Sequence, residues 1–298
     1  RSQRGTRMAI VLITGCSTGI GFETALQFGR SGNQVYATMR NLDKAGPLRD
    51  AARHENLDVR IHQLDVDSRV SIDAAIAAIL AEAGQVDVLV NNAGVTGMGS
   101  IEETTDSELH AVMETNFFGP LRVIRGIVPA MRERRAGTIV NVTSVAGRLV
   151  AGLASQYHCS KWALECASET LALELRQFGV RVAIVEPGFF VTPILDKAAE
   201  AWGDNENAPY ADLERRMRDL YAQATVGGGH PSVVARAIEN AVTTTEPRLR
   251  YLVGADAESF VGGRQRITDE EYLVLGEEQS DEQWWTKFME MFPMPVEA

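Results

Sequence analysis

Short runs of apolar and β-branched residues alternate along this chain with longer segments whose apolar residues recur at helical spacing. The run Ala9–Thr14 is apolar almost throughout and ends at a glycine loop, as expected of a strand that is buried on both faces. Regular alternation of strands and helices is typical of βαβ units, which build a parallel sheet. The predicted strands are Ala9–Thr14, Gln34–Thr38, Asp58–Leu64, Val86–Val90, Thr138–Thr143, Val180–Val185 and Arg250–Val253.

Helical periodicity fills most of the stretches between these strands. Gly84 follows one helical segment at the position where helices commonly end in glycine. Gly119-Pro120 lies inside the longest segment, where we expect a kink or a break. The predicted helices are Ile20–Ser31, Asp43–His54, Ser68–Ala83, Ser107–Arg135, Ser155–Phe178 and Ser232–Thr243. Together, the elements in 8–253 predict an α/β fold, a doubly wound Rossmann-type parallel sheet of about seven strands flanked by helices.

Three segments depart from this pattern. Residues 1–7 are polar and basic, and we expect a disordered N-terminal segment. Residues 193–229 are polar and weakly periodic, which is typical of a mobile lid over a substrate. Residues 254–298 form an acidic C-terminal extension of the single domain. Its aromatic residues recur every four positions, so we expect one helical face that seals the domain or a subunit contact: Trp284, Phe288 and Phe292.

Composition excludes several classes of function. With 298 residues and 45% hydrophobic content the chain can bury a large core, and its net charge of −11 argues against binding nucleic acid or anionic membranes. No apolar run has spanning length, so we expect a soluble, cytoplasmic protein without membrane insertion. The three cysteines are sparse and odd in number, as free thiols in a reducing compartment would be. The scattered histidines predict no metal site.

A glycine loop, T-G-C-S-T-G-I-G, follows the first strand and opens the first helix. At that place a dinucleotide pyrophosphate meets backbone amides and the positive end of the helix dipole. Gly15 permits the tight turn, Gly19 the close approach of the backbone, and Gly21 the packing of helix on strand. The loop therefore predicts a nicotinamide dinucleotide site that includes Gly15, Ser17, Thr18, Gly19, Ile20 and Gly21.

The end of the second strand bears on which nicotinamide cofactor binds. An NAD site usually carries Asp or Glu there, about 20 residues past the glycines, to bind the ribose hydroxyls. This chain reads V-Y-A-T-M-R, with no carboxylate and with Arg40 directly after the strand. An arginine can pair with the 2′-phosphate of NADP. We therefore expect NADP(H) rather than NAD(H).

Tyr157 and Lys161 lie four residues apart on a predicted helix, and Ser144 ends the strand before it. Residues at this spacing share a helical face, so the phenol and the ammonium are expected to project into one site. A free tyrosine has a pKa of about 10, and a neighbouring ammonium favours the phenolate. The trio combines a proton donor, a cation that tunes it and a second hydroxyl for a carbonyl oxygen.

In this order and spacing, the motifs of 8–253 resemble those of the short-chain dehydrogenase/reductase family, nearest the NADP-preferring branch that contains 17β-hydroxysteroid and retinol dehydrogenases. N-N-A-G after the fourth strand, L-D-V after the third and P-G-F-F-V-T after the sixth all match the family pattern. The resemblance implies a homodimer or homotetramer. The further cofactor contacts that it implies are Asp65, Val66, Asn92, Ala93, Gly94, Tyr157, Lys161, Pro187, Gly188 and Thr192.

The resemblance also implies a mechanism. Ser144 would hold the substrate oxygen, Tyr157 would transfer its proton, and Lys161 would lower the pKa of Tyr157 while it bonds the nicotinamide ribose. Asn116, on the long helix, would hold a water that relays protons towards Lys161. The catalytic set is thus Asn116, Ser144, Tyr157 and Lys161.

Residues placed around the trio and the lid are largely apolar, which suits a hydrophobic ketone or secondary alcohol. They are Val145, Leu149, Val150, Phe189, Phe190, Ile194 and Leu195. Two other functions share the fold. A 3-ketoacyl-thioester reductase would have a basic patch near the lid, where only Lys197 stands out. A non-enzymatic NADP(H)-sensing protein usually lacks the Tyr or the Lys, and both residues are present here.

Overall fold

Seven parallel strands form one sheet in the computed structural model of the protein, in the order β3-β2-β1-β4-β5-β6-β7. The structure describes residues 8–200, 208–277 and 279–293, so the N-terminal segment 1–7 that we expected to be disordered lies outside the described residues. The strand bounds agree with the predicted ones to within two residues. The strands are β1 Ile10–Ile13, β2 Gln34–Met39, β3 Val59–Gln63, β4 Val88–Asn91, β5 Gly137–Val142, β6 Val180–Pro187 and β7 Arg250–Val253.

Helices cover both faces of this sheet, and each face has its own hydrophobic core. Both cores draw on alternate residues of the same strands: Val11 and Ile13 face one, Leu12 the other. The helices are α1 Gly19–Arg30, α2 Gly46–His54, α3 Arg69–Ala83, α4 Asp106–Met113, α5 Gly119–Arg134, α6 Ser155–Arg176, α7 Pro193–Glu200, α8 Ala211–Gly227, α9 Ser232–Thr243, α10 Ala255–Arg266, α11 Asp269–Leu273 and α12 Asp281–Met291. The predicted fold class, a doubly wound single domain, is confirmed.

The break predicted inside Ser107–Arg135 is present. A π-helical turn at Glu114–Phe118 interrupts this helix directly before the Gly119-Pro120 step. Proline has no N–H to continue the α-helical ladder, which accounts for the break there. The segment 193–229, for which we predicted only weak periodicity, is largely helical, because α7 and α8 occupy most of its described part.

The C-terminal segment packs against α8 through an aromatic cluster. Trp284 and Phe288 stack with ring centroids 5.0 Å apart, and Phe292 lies 5.2 Å from Phe288. All three are buried, so the predicted aromatic face of α12 closes part of this domain. Among the described helices, none is at once long and apolar enough to span a bilayer.

Candidate active site

A cavity of about 630 Å³ lies at the carboxyl edge of the sheet, lined by the loops that follow β1, β4, β5 and β6. The strand order changes direction between β1 and β4. In doubly wound sheets such a switch point leaves a crevice where ligands bind. All but two of the predicted site residues line this cavity, the two being Gly21 and Asn116.

The glycine loop forms one end of the cavity. Gly15 has φ +74°, and a Cβ built on it would lie 2.7 Å from Ala93 Cα, so only glycine fits. Asn92 Nδ2 fixes the loop by donating to the Thr14 and Gly15 carbonyls at 2.9 and 3.1 Å. Thr192 faces the loop from the other side, near Gly19. The first amides of α1 are left without intrahelical partners there, as an anionic pyrophosphate requires.

The lining also fits the rest of a dinucleotide. Asp65 and Val66 line the cavity after β3, and Pro187 and Gly188 line it after β6. Gly21 is not in the lining, because it packs against Asn92 and the Gly15 carbonyl. It therefore serves the packing of α1 on the loop rather than direct contact with a ligand.

Two cations, Arg40 and Lys44, line the cavity just after β2, and no carboxylate ends that strand. Asp67 lines the same region. Burial raises the pKa of Asp67, while its hydrogen bond from Thr115 and the nearby charge of Arg40 oppose the rise. This end of the cavity can therefore pair a cation with an anionic group of a ligand.

Ser144 and Tyr157 both line the cavity, and Ser144 Oγ donates to Pro187 O at 3.4 Å. Ser144 follows β5, and its Oγ accepts a hydrogen bond from Ala146 N at 3.1 Å, which holds the hydroxyl at the start of a short 3-10 helix. Burial raises the pKa of Tyr157, and the neighbouring Ser144 hydroxyl acts in the opposite direction. The two hydroxyls can together bind one carbonyl oxygen.

Lys161 lies one helical turn beyond Tyr157 and is buried. Its Nζ donates to Val142 O at 3.1 Å and lies 5.5 Å from the centroid of the Tyr157 ring. Burial lowers the pKa of Lys161 to about 8, and the charge of Glu165 opposes this. The expected lowering of the Tyr157 pKa by Lys161 is not found in this arrangement, because desolvation of the phenol dominates.

Asn116 lies in the π-helical turn and is fully buried behind the cavity. Its Oδ1 accepts from Val95 N at 2.8 Å, and its Nδ2 donates to Val95 O and Ser160 Oγ, both at 2.9 Å. A Cβ on Gly94 would lie 3.3 Å from Asn116 Oδ1 and 3.7 Å from Lys161 Nζ. The side chain is thus near Lys161, but its hydrogen bonds hold the loop after β4 against α6.

Sequence reasoning missed two groups of lining residues. His158 is one; its Nε2 accepts from Ala151 N at 3.0 Å and its Nδ1 contacts Ala146 O at 2.9 Å, so the ring orders the loop after Ser144. The other group forms an aromatic end of the cavity, beyond the predicted apolar residues, which all line it. In the sequence, only the four-residue spacing of the C-terminal aromatic residues indicated an aromatic surface. Its members are Tyr221, Phe260, Tyr272, Phe288 and Phe292.

The short chain dehydrogenase family model matches residues 9–202. A 3-ketodihydrosphingosine reductase of Bacteroides thetaiotaomicron is 36% identical over 247 residues, 82% of this chain and 87% of that protein. Retinol dehydrogenase 8 of Bos taurus is 39% identical, covering 80% of both chains. Estradiol 17-beta-dehydrogenase 1 of Rattus norvegicus is 35% identical, covering 81% of this chain and 72% of that one.

Several solved structures share the fold of this chain. A short-chain dehydrogenase from Streptomyces avermitilis has a TM-score of 0.77 at 36% identity, covering 92% of this chain and 100% of its own. An actinorhodin polyketide ketoreductase with NADPH has a TM-score of 0.71 at 31% identity, covering 82% and 96%. A short-chain dehydrogenase/reductase of Burkholderia phymatum, solved with NAD, has a TM-score of 0.76 at 26% identity, covering 92% and 97%. The chain therefore belongs to the short-chain dehydrogenase family of oxidoreductases, which act on alcohols and ketones, within the branch that includes retinol and 17β-hydroxysteroid dehydrogenases.

Proposed function

We propose that the protein is an NADP(H)-dependent oxidoreductase that transfers a hydride between nicotinamide and a hydrophobic ketone or secondary alcohol. One observation carries the proposal: a single cavity joins the glycine loop, the Ser144–Tyr157 pair and an aromatic end. Cofactor and apolar substrate would therefore meet beside the two hydroxyls.

The bound cofactor would supply the hydride, and the side chains would supply binding, orientation and a proton. Ser144 Oγ would hold the carbonyl oxygen while the Tyr157 hydroxyl donates its proton to that oxygen. Because burial raises the pKa of Tyr157, the phenol keeps its proton at neutral pH, which suits reduction. Lys161 would bond the nicotinamide ribose, and Asn116 would keep the loop after β4 and α6 in place around it.

Preference for NADP(H) rests on Arg40 and Lys44, the cations that line the cavity after β2. Relatives of this fold are solved with NADPH and with NAD, so the fold alone does not choose the cofactor. Arg40→Gln should raise the KM for NADPH about tenfold and change the KM for NADH little, since a contact to phosphate worth about 1.4 kcal/mol is lost. Initial rates with each cofactor measure the change.

Arg53→Gln serves as the matched control, because Arg53 is exposed on α2 and does not line the cavity. Its KM for either cofactor should equal that of the parent. If Arg40→Gln raised the KM for NADPH and the KM for NADH equally, Arg40 would not bind the 2′-phosphate. If NADH were the better substrate of the parent, the cofactor preference itself would be wrong.

The aromatic end favours apolar substrates such as steroid-like, retinoid-like or fatty ketones, for which rings provide large contact areas. The decisive experiment follows NADPH oxidation against apolar ketones, acyl thioesters and quinones. Turnover of apolar ketones alone supports the proposal. Preference for acyl thioesters would favour a 3-ketoacyl-thioester reductase, with Lys197, which lines the cavity, as a contact. Absence of turnover with tight NADPH binding would favour a cofactor-sensing protein.

We also propose a cytoplasmic homodimer or homotetramer. Cys16, Cys159 and Cys166 are free thiols, as in a reducing compartment. Large apolar side chains are exposed on the π-helical turn and α6, namely Phe118 at 41% and Trp162 at 48%. Burying them in a subunit contact would remove apolar area from water. Light scattering on the purified protein measures the oligomeric state.

A further inference from the structure

A cluster of ionisable side chains lies behind Ser144 and Tyr157. We call Glu165, Glu186, Arg148 and Arg250 the charge cluster; its two glutamates are buried and its two arginines are partly exposed. Glu186 has no exposed surface, and Glu165 is 5% exposed. Burying charges is costly, and well-packed apolar residues can often replace a buried ion pair without loss of stability. Stability alone therefore does not explain why buried charges lie beside this site.

The carboxylates of the cluster are held by short contacts. Thr143 Oγ1 donates to Glu165 Oε1 at 2.6 Å, and Arg250 Nε donates to Glu165 Oε2 at 3.1 Å. Arg148 Nη1 donates to Glu186 Oε1 at 2.8 Å, with Arg250 Nε 3.6 Å from the same oxygen. The other oxygen, Glu186 Oε2, is buried without a hydrogen-bond partner. The cluster thus pairs two carboxylates with two guanidinium groups and leaves one buried carboxylate oxygen without a hydrogen bond.

Part of the cluster is connected to the site through the chain. Glu186 immediately precedes Pro187, and Thr143, which donates to Glu165, immediately precedes Ser144. Glu165 lies four residues after Lys161 on α6, just as Lys161 lies four after Tyr157. Residues at this spacing lie on one helical face. Tyr157, Lys161 and Glu165 therefore follow one another along the same face of α6.

Glu165 is the member that acts on Lys161. Burial lowers the pKa of Lys161, and the charge of Glu165 raises it. Burial and Glu186 raise the pKa of Glu165 itself, while Thr143 and Arg250 lower it. Thr143 and Arg250 thus help Glu165 to remain ionised beside the lysine.

We propose that Glu165 is a positioning residue that keeps Lys161 protonated, and thereby keeps the site competent to bind the nicotinamide ribose and to support proton transfer by Tyr157. The inference rests on the proposed function. The titratable and charged groups around Lys161 and Glu165 are Tyr157 and Glu169 on α6, Glu186 on β6, Arg250 on β7 and Arg148 after β5.

The test is Glu165→Gln, followed as kcat/KM and as NADPH affinity from about pH 6 to about pH 10. Removing one negative charge a helical turn from Lys161 should move the alkaline limb of both profiles down by about one pH unit. Near pH 6, Glu165→Gln and the parent should behave alike, because Lys161 is protonated in both proteins. NADPH affinity, read from tryptophan quenching, reports on the lysine without turnover.

Glu169→Gln is the matched control. Glu169 also pairs with Arg250, at 2.7 Å, but its side chain is 55% exposed. Its profiles should match the parent, and Glu165→Asp, which keeps the charge, should show most of the parental profile. Should Glu165→Gln not fold, Glu165→Ala provides a second test: it also removes the charge and should shift both profiles by a similar amount in the same direction.

Two results would overturn the inference: unshifted profiles in Glu165→Gln, or an equal loss of activity and affinity at every pH, as a merely structural role predicts. A shift of equal size in Glu169→Gln would assign the effect to Arg250 instead. If the parent turned over no substrate, the proposed function would fail, while the pH dependence of NADPH affinity would still decide the role of Glu165.

Discussion

Tyr157→Phe should lower kcat at least about a hundredfold while the protein still binds NADPH. The change removes only the hydroxyl that would donate a proton, and positioned acid–base groups contribute about 10²–10⁴ in rate. Ser144 would keep its hydrogen bond from Ala146 N, so one donor to the carbonyl oxygen remains. Single-turnover rates with an apolar ketone, together with NADPH titration, measure the two effects separately.

Tyr210→Phe is the control for this variant. Tyr210 also uses its hydroxyl, which donates to Glu102 at 2.8 Å, but it lies outside the cavity lining. Its kcat should be unchanged. If Tyr157→Phe keeps a tenth or more of the parental kcat, Tyr157 does not transfer the proton, because a proton donor should account for a loss of at least about a hundredfold.

Lys161→Met should abolish catalysis and yet stabilise the fold by about 2 kcal/mol at neutral pH. Burial lowers the pKa of Lys161 from 10.5 to about 8, so below that pH the ammonium weakens the folded state. This pKa shift corresponds to a penalty of about 3 kcal/mol for the buried ammonium, which the variant removes. Loss of the hydrogen bond to Val142 O reduces the gain by about 1 kcal/mol. Methionine fills a similar volume without charge.

The direction in which stability changes with pH follows from proton binding. Between the folded pKa and the unfolded one, the unfolded chain binds the proton and the folded protein does not, so stability contributed by this group rises with pH. The advantage of Lys161→Met should therefore be full below about pH 8, and above about pH 10.5 the variant should be less stable than the parent by the roughly 1 kcal/mol of the lost hydrogen bond. Urea unfolding at both ends of this range checks it. Lys287→Met, on partly exposed α12, should show no such dependence.

Sequence reasoning predicted the parts of the molecule that depend on local pattern. The apolar strands and the glycine loop were placed to within two residues, because burial on both faces and a strand–turn–helix context leave few alternatives. Helix α8 was missed because polar residues dominate it, and α7 because its eight residues are too few for a clear helical period.

Tertiary contacts account for the rest. Phe260 and Phe292 reach the cavity from the C-terminal segment, more than a hundred residues after Ser144, and no local signal specifies where such a segment packs. Glu165 sits among polar residues on α6, where charged side chains usually face water. Its burial depends on Thr143 and Arg250, which the sheet brings together from β5 and β7.

The aromatic end of the cavity is built largely from α8, α10 and α12, whereas the proton-bearing hydroxyls come from the loop after β5 and from α6. Under the proposed function, substrate recognition and proton transfer would therefore reside on separate stretches of polypeptide. Exchange of the helical stretch between homologues should retarget the enzyme towards new ligands and leave its chemistry intact.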